Sequence, residues 1–254
     1  MKVDYELTGP NDAPVVVLSN SLGNDRTLWD AQLPALAERF RVLRYDQRGH
    51  GATPSAPGPY GLADLGGDVL ELLDDLGIAE ARFAGVSLGG MTGMWLAENA
   101  PERITALVPI CTSADLTPPE AWRERAAQVR SNGTESMFEA TLPRWFTPAL
   151  AGDPQVREKY RAMLAATDDE SYAGCCEAIA SMDILDDLPR IAAPTLVIAG
   201  AQDSATPPAH AEQIAAAVPD AKVEVIAEAA HLANAEQPEA VNRLLVEHFS
   251  GGAR

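Results

Sequence analysis

The sequence predicts an α/β protein with a mostly parallel central sheet and helices on both faces. Short β-branched apolar runs recur along the chain, segments with apolar residues three and four apart lie between them, and the two alternate. Runs without polar alternation suit strands covered on both faces, as a parallel sheet requires. At 254 residues the chain fits one large domain that buries its core without disulfides or metals.

Lys2 to Leu7 alternates with period two and predicts an edge strand. Val15 to Ser19, Arg41 to Asp46, Ala81 to Val86, Thr105 to Ile110, Thr195 to Gly200 and Lys222 to Ile226 are the apolar runs expected inside the sheet. Leu62 to Leu76 is the clearest helix, with Gly77 as its stop. From about Leu116 to Pro189 no strand is expected, only amphipathic segments broken at Pro118, Pro119, Pro143, Pro148 and Pro154. The expected organisation is a core of residues 1–115 and 190–254, with residues 116–189 inserted as a helical cap.

Composition narrows the function. Apolar residues make up 46% and charged residues 22%, a globular balance. No apolar run approaches the roughly 20 residues that cross a bilayer, and the first ten residues hold no secretory signal, so a cytoplasmic protein is expected. Acidic residues outnumber basic ones 37 to 19, and a net charge of −18 opposes nucleic acids and anionic membranes. An anionic small ligand would need a local Arg or Lys. Cys111, Cys175 and Cys176 are too few and too poorly spaced for a disulfide framework or a zinc site; they suit buried thiols in a reducing compartment.

Gly85-Val86-Ser87-Leu88-Gly89 follows a predicted strand and precedes a helical segment, Gly90 to Glu98. A serine on so sharp a turn sits in strained backbone geometry, and side chains two residues either side would clash. Glycines at both places remove the clash, and the helix N-terminus favours negative charge at the Ser87 hydroxyl.

A serine needs a base. His248 falls in a C-terminal helix, His210 at a helix start after Pro207-Pro208, and His50 in a turn where a structural hydrogen bond is expected. His231 follows the last strand at the carboxyl edge of the sheet, where α/β sites are built, and is read as the base. Asp203, at the same edge after Thr195 to Gly200, is the expected partner of His231, with Asp115 as runner-up. Asp183, Asp186 and Asp187 read as surface charge. The order Ser87, Asp203, His231 suits the nucleophile-elbow arrangement. The backbone N–H groups of Leu88 and Leu22 are the expected oxyanion donors, each typically worth about 3 kcal/mol of barrier stabilisation.

With these pieces in place the chain resembles the α/β-hydrolase superfamily over nearly its whole length. Within it, the chain is most similar to the 3-oxoadipate enol-lactonases of bacterial aromatic catabolism. The matching pieces are Ser19-Asn20-Ser21-Leu22-Gly23, Tyr45-Asp46-Gln47-Arg48-Gly49-His50-Gly51, Gly85 to Met91 and Ala229-Ala230-His231. The first is the most discriminating; the others are shared with esterases and cofactor-free haloperoxidases. The resemblance implies serine hydrolysis of a small carboxylated lactone, with no metal or organic cofactor. A bidentate Arg in the pocket would then hold the carboxylate. Arg144, next to Trp145 as an apolar wall, is the expected cation, and Arg48 the alternative; Met91, Met94 and Trp95 read as core. Two other readings stay open: a general carboxylesterase or perhydrolase, and a ligand-binding receptor without turnover.

Overall fold

The computed structural model describes residues 2–251. One seven-stranded sheet is built from β1 (Tyr5–Thr8), β2 (Val15–Ser19), β3 (Arg41–Tyr45), β4 (Ala81–Val86), β5 (Ile104–Ile110), β6 (Leu196–Gly200) and β7 (Lys222–Ile226). The spatial order is β1-β3-β2-β4-β5-β6-β7, with β1 antiparallel to β3 and every other pair parallel. The helices are α1 (Leu33–Ala37), α2 (Leu62–Asp75), α3 (Leu88–Asn99), α4 (Glu120–Asn132), α5 (Phe138–Trp145) and α6 (Pro148–Ala151). They continue as α7 (Pro154–Ala166), α8 (Asp169–Ala180), α9 (Pro208–Ala217), α10 (Ala233–Glu236) and α11 (Pro238–Ser250).

The central strands are apolar on both faces because both faces are covered: Val16, Val17, Leu18, Phe83, Ala84 and Ile198 are fully buried. Helix α2 turns Leu65, Val69, Leu72 and Leu73 inward and ends at Gly77, whose φ of +65° is the left-handed stop its sequence announces. Helix α3 lies against β4 and β5 and also against α2, so it is buried almost all round; Met91 and Met94 are core, and Trp95 packs on Gly66.

Two strands depart from the expected burial. β7 is an edge strand with Lys222 and Glu224 exposed on one face and Val225 on the other, so neither face is fully covered. In β3, Arg44 is buried, its guanidinium held by Glu6 at 2.7 Å and Asp30 at 2.6 Å. A charge fits inside a strand only where such partners reach it.

Between β5 and β6 the described residues form helices α4 to α8, with α4 lying along α8. Pro148 and Pro154 open helices as their missing N–H allows. Pro143 does not break the chain as expected but sits inside α5, where it has no N–H to donate to the carbonyl one turn back.

Chain direction across the sheet reverses between β2, whose next strand lies on one side, and its other neighbour, β4. Ser19 and Gly85 are register partners there, so the loops leaving β2 and β4 meet at the carboxyl edge. β6 and β7 bring a second pair of loops to the same edge.

Candidate active site

Ser87 is the single residue between β4 and α3, with φ 54° and ψ −114°. Such a conformation costs of order 1–3 kcal/mol and needs its surroundings to hold it. The Ser87 N–H donates to the Ile110 carbonyl at 2.9 Å, and its carbonyl accepts from the Met91 N–H at 3.0 Å and Thr112 Oγ1 at 2.7 Å. A Cβ on Gly85 would stand 2.2 Å from the Gly89 carbonyl, and one on Gly89 2.4 Å from the Ser19 carbonyl. Both glycines are therefore required by close backbone approach.

His231 Nδ1 lies 2.7 Å from Asp203 Oδ2, and both residues are buried. Asp203 Oδ1 accepts the N–H groups of Ala205 at 2.7 Å and Thr206 at 3.0 Å, and Oδ2 accepts the Thr206 hydroxyl at 2.7 Å. Burial, the largest influence on this carboxyl, pushes its pKa up. The His231 imidazole and the Thr206 hydrogen bonds outweigh it, so Asp203 stays below the usual carboxylate range. With Nδ1 tied to Asp203, His231 leaves Nε2 for the cavity that Ser87 also lines. The Ser87 hydroxyl makes no hydrogen bond among the described residues.

The runner-up Asp115 is elsewhere, its carboxylate accepting from the Thr117 N–H at 2.9 Å. Asp183 and Asp186 are exposed, and Asp187 pairs with Arg190 at 3.0 Å. His210 differs from the surface role expected: Nδ1 is 2.7 Å from the Ser113 hydroxyl and the ring is half-buried. His248 packs at the Pro194 carbonyl, 3.1 Å from Nε2.

The loop after β2 is fixed from below by the residues after β3. Ser19 Oγ lies 2.7 Å from the Tyr45 hydroxyl, Asn20 Nδ2 donates to the Tyr45 carbonyl at 2.8 Å, and Gln47 Nε2 donates to the Asn20 carbonyl at 3.1 Å. His50, fully buried, accepts the Gly23 N–H on Nε2 at 3.0 Å. Leu22 thus reaches the cavity wall with its own N–H unengaged among the described residues. The Leu88 N–H, at the first position of α3, has no carbonyl one turn back.

The cavity measures about 550 Å³, and its walls include Ser21, Leu22, Ser87 and His231 on one side and Trp122, Arg125, Met137, Arg144 and Trp145 from the helical segment on the other. Trp145 is buried and held by Tyr160, ring centroids 5.9 Å apart. Arg144 makes no ion pair among the described residues. Arg48 is not on this cavity; its charge is matched by Asp68 at 2.7 Å, and its guanidinium stacks 4.7 Å from the Tyr60 ring centroid.

Arg125 was not singled out by sequence, yet it lines the cavity. Its Nε donates to the Tyr172 hydroxyl at 2.9 Å and an Nη to Thr141 Oγ1 at 2.9 Å, and no carboxylate pairs with it among the described residues. The only available signal was its place in Glu120–Asn132, a helix too rich in charge to show which guanidinium faces inward. No group of three or more His, Cys, Asp or Glu among the described residues is placed to hold a metal ion.

A family model described as the alpha/beta hydrolase fold matches residues 14–238. The chain belongs to the α/β-hydrolase family. Among curated relatives, this α/β hydrolase is 41% identical over 241 residues to 3-oxoadipate enol-lactonase 2 of Acinetobacter baylyi, covering 94% of this chain and 90% of that one. It is 32% identical over 254 residues to a protein of Stutzerimonas stutzeri named "Putative carbamate hydrolase RutD", covering 97% and 96% of the two chains. Among solved structures, a hydrolase from Pseudomonas aeruginosa PA01 superposes with a TM-score of 0.94 at 47% identity, covering 97% and 94%. The enol-lactonase from Burkholderia xenovorans LB400 superposes with a TM-score of 0.95 at 40% identity, covering 98% and 96%. No helix among the described residues of this hydrolase is long and apolar enough to cross a membrane.

Proposed function

We propose that this α/β hydrolase opens the enol-lactone of 3-oxoadipate, a small lactone with a free carboxylate, through an acyl-enzyme on Ser87. The observation that carries the reading is the pair of guanidinium groups, Arg125 and Arg144, on the cavity of Ser87 and His231, without carboxylate partners among the described residues. In a protein of net charge −18, two cations without ion-pair partners on a cavity whose described lining carries one carboxylate, Glu124, suit an anionic substrate. The 41% and 40% identities to enol-lactonases support the same substrate.

In this reading His231 takes the Ser87 proton as Oγ attacks the ring carbonyl, and Asp203 stabilises the imidazolium. The amides of Leu22 and Leu88 hold the tetrahedral oxyanion. The ring C–O bond breaks, and His231 returns the proton to the departing enol oxygen. A water deprotonated by His231 then attacks the acyl carbon, the Ser87 Oγ–acyl bond breaks, and the proton restores the serine. The enol tautomerises to the ketone. Arg144 and Arg125 fix the free carboxylate, and Trp145 walls the ring.

Ring opening of this lactone by the purified protein tests the proposal, with Ser87→Ala, Arg144→Ala and Arg125→Gln alongside. Turnover abolished by the first, with KM raised about tenfold or more by either arginine change, is expected. The same arginine changes should leave KM for a neutral aryl ester within about twofold. No lactone turnover above background, together with rapid hydrolysis of the neutral ester, would overturn the lactonase reading and return the general esterase.

A further inference from the structure

The loop that carries His231 is bound along its backbone to the helical segment that lines the cavity. The His231 N–H donates to the Arg144 carbonyl at 3.3 Å, and the Leu232 N–H to the Trp145 carbonyl at 2.9 Å. The N–H of the preceding residue, Ala230, donates instead to Glu236 Oε2 at 2.8 Å. The other oxygen, Oε1, accepts the Thr147 N–H at 3.0 Å and the Thr147 hydroxyl. Thr147 lies two residues beyond Trp145, at the start of α6. One carboxylate therefore closes a ring of hydrogen bonds that contains the proposed base and the two predicted substrate contacts, Arg144 and Trp145.

Nothing in the proposed mechanism uses Glu236, and it does not line the reactive cavity; it borders a separate one with Thr147 and Gln237. The chemistry of its partners is one-sided. Ala230 and Thr147 present N–H and O–H donors to both oxygens. A carboxylate has only acceptors, whereas an amide must turn its NH₂ toward one N–H. The isosteric amide thus fails where the carboxylate succeeds.

We propose that Glu236 is a positioning residue: its carboxylate locks the His231 loop to the Arg144–Thr147 segment, so that base and substrate contacts hold one geometry. The proposal rests on the Ser87–His231–Asp203 reading given above. A displacement of about 1 Å at such a site costs roughly a hundredfold in rate.

The test is the labelling of Ser87 by a serine-reactive aryl phosphonate, which reads the base without requiring the lactone. Wild-type protein that labels, and Ser87→Ala that does not, establishes the nucleophile independently of Glu236. Glu236→Gln is expected to label to the wild-type extent but about 10 to 100 times more slowly, with kcat for a neutral aryl ester falling in parallel and KM within about twofold. Thr147→Val, which removes one donor and keeps the fold of the segment, should slow labelling about two- to fivefold. A merely structural role would lower the fraction of protein that labels and leave the rate of that fraction unchanged. That pattern, or a wild-type rate in folded Glu236→Gln, would overturn the proposal. If Glu236→Gln does not accumulate folded, an unchanged labelling rate in Thr147→Val would overturn it.

Discussion

His50 Nε2 accepts the Gly23 N–H at 3.0 Å, one residue beyond the Leu22 amide proposed for the oxyanion. Its Nδ1, 3.0 Å from the Arg48 carbonyl, must then carry the proton, so the ring is neutral. Burial pushes its pKa below the ordinary histidine value. A histidine depressed in the fold gives stability that is fully present above about pH 6.5 and is lost as pH falls through the folded value. The melting-temperature gap between wild type and the less stable His50→Gln is therefore expected to narrow from pH 7.5 to 5.5. A gap that stays constant by circular dichroism would refute this.

Glu98 acts with the opposite sign over the same range. Burial, aided by Asp187, raises its pKa to about 7, and its Oε1 has no hydrogen-bond partner. A carboxyl raised in the fold costs stability as pH rises from about 4.5 through 7. Glu98→Gln should be more stable than wild type at pH 8 by about 1 kcal/mol, after discounting for its partial exposure, and equal to it at pH 4.5. Urea denaturation at both pH values measures the difference; no gain at pH 8 would rule it out.

Asp203→Asn should lower kcat for a neutral aryl ester by about 10³–10⁴-fold, because an amide no longer fixes the imidazole proton on Nδ1. Stability should change much less at neutral pH, since Thr206 and Ala205 still find an oxygen there. Activity within tenfold of wild type would remove Asp203 from the proposed mechanism.

Gly89→Ala presses a methyl group on the backbone of Ser19, directly before the loop proposed to hold the oxyanion. A loss of about 1–3 kcal/mol is expected, with ester hydrolysis reduced in the folded fraction. Gly67→Ala is the contrasting case, since a Cβ there meets nothing within 4 Å and the site is inside helix α2. It should gain about 0.5–1 kcal/mol. Chemical unfolding that ranked the two alike would refute the argument from close approach.

The strands and the serine turn were readable in the sequence because local rules govern them. Val15–Ser19, Ala81–Val86 and Lys222–Ile226 end at the residues their patterns give, and the Gly85 and Gly89 spacing states a steric need. His231 and Asp203 could be put forward because each lies a few residues beyond a strand at the same sheet edge, Asp203 three after β6 and His231 five after β7. What the pattern does not carry is the partner across the chain. Arg44 looks like an error in an apolar strand until Glu6 and Asp30 reach it. Arg125 differs from Arg123 and Arg130 only in which way α4 is rolled against α8, a tertiary fact. Glu236 carries no signal in the sequence because two of its three donors come from residue 147, 89 positions earlier.

The helical segment leaves and rejoins the sheet through a narrow neck. β5 and β6 are neighbours, Asp115 bridges to Asp183, and the Ile184 N–H donates to the Ala114 carbonyl at 3.2 Å. Further along, Arg144 and Trp145 meet the His231 loop through main-chain carbonyls, which every residue type possesses. Side chains over the cavity can therefore be exchanged without unfastening the segment from the His231 loop. Directed libraries at Trp122, Arg125, Met137, Arg144 and Trp145 search new substrates on a scaffold whose reactive half stays put, provided Glu236 and Thr147 are left alone.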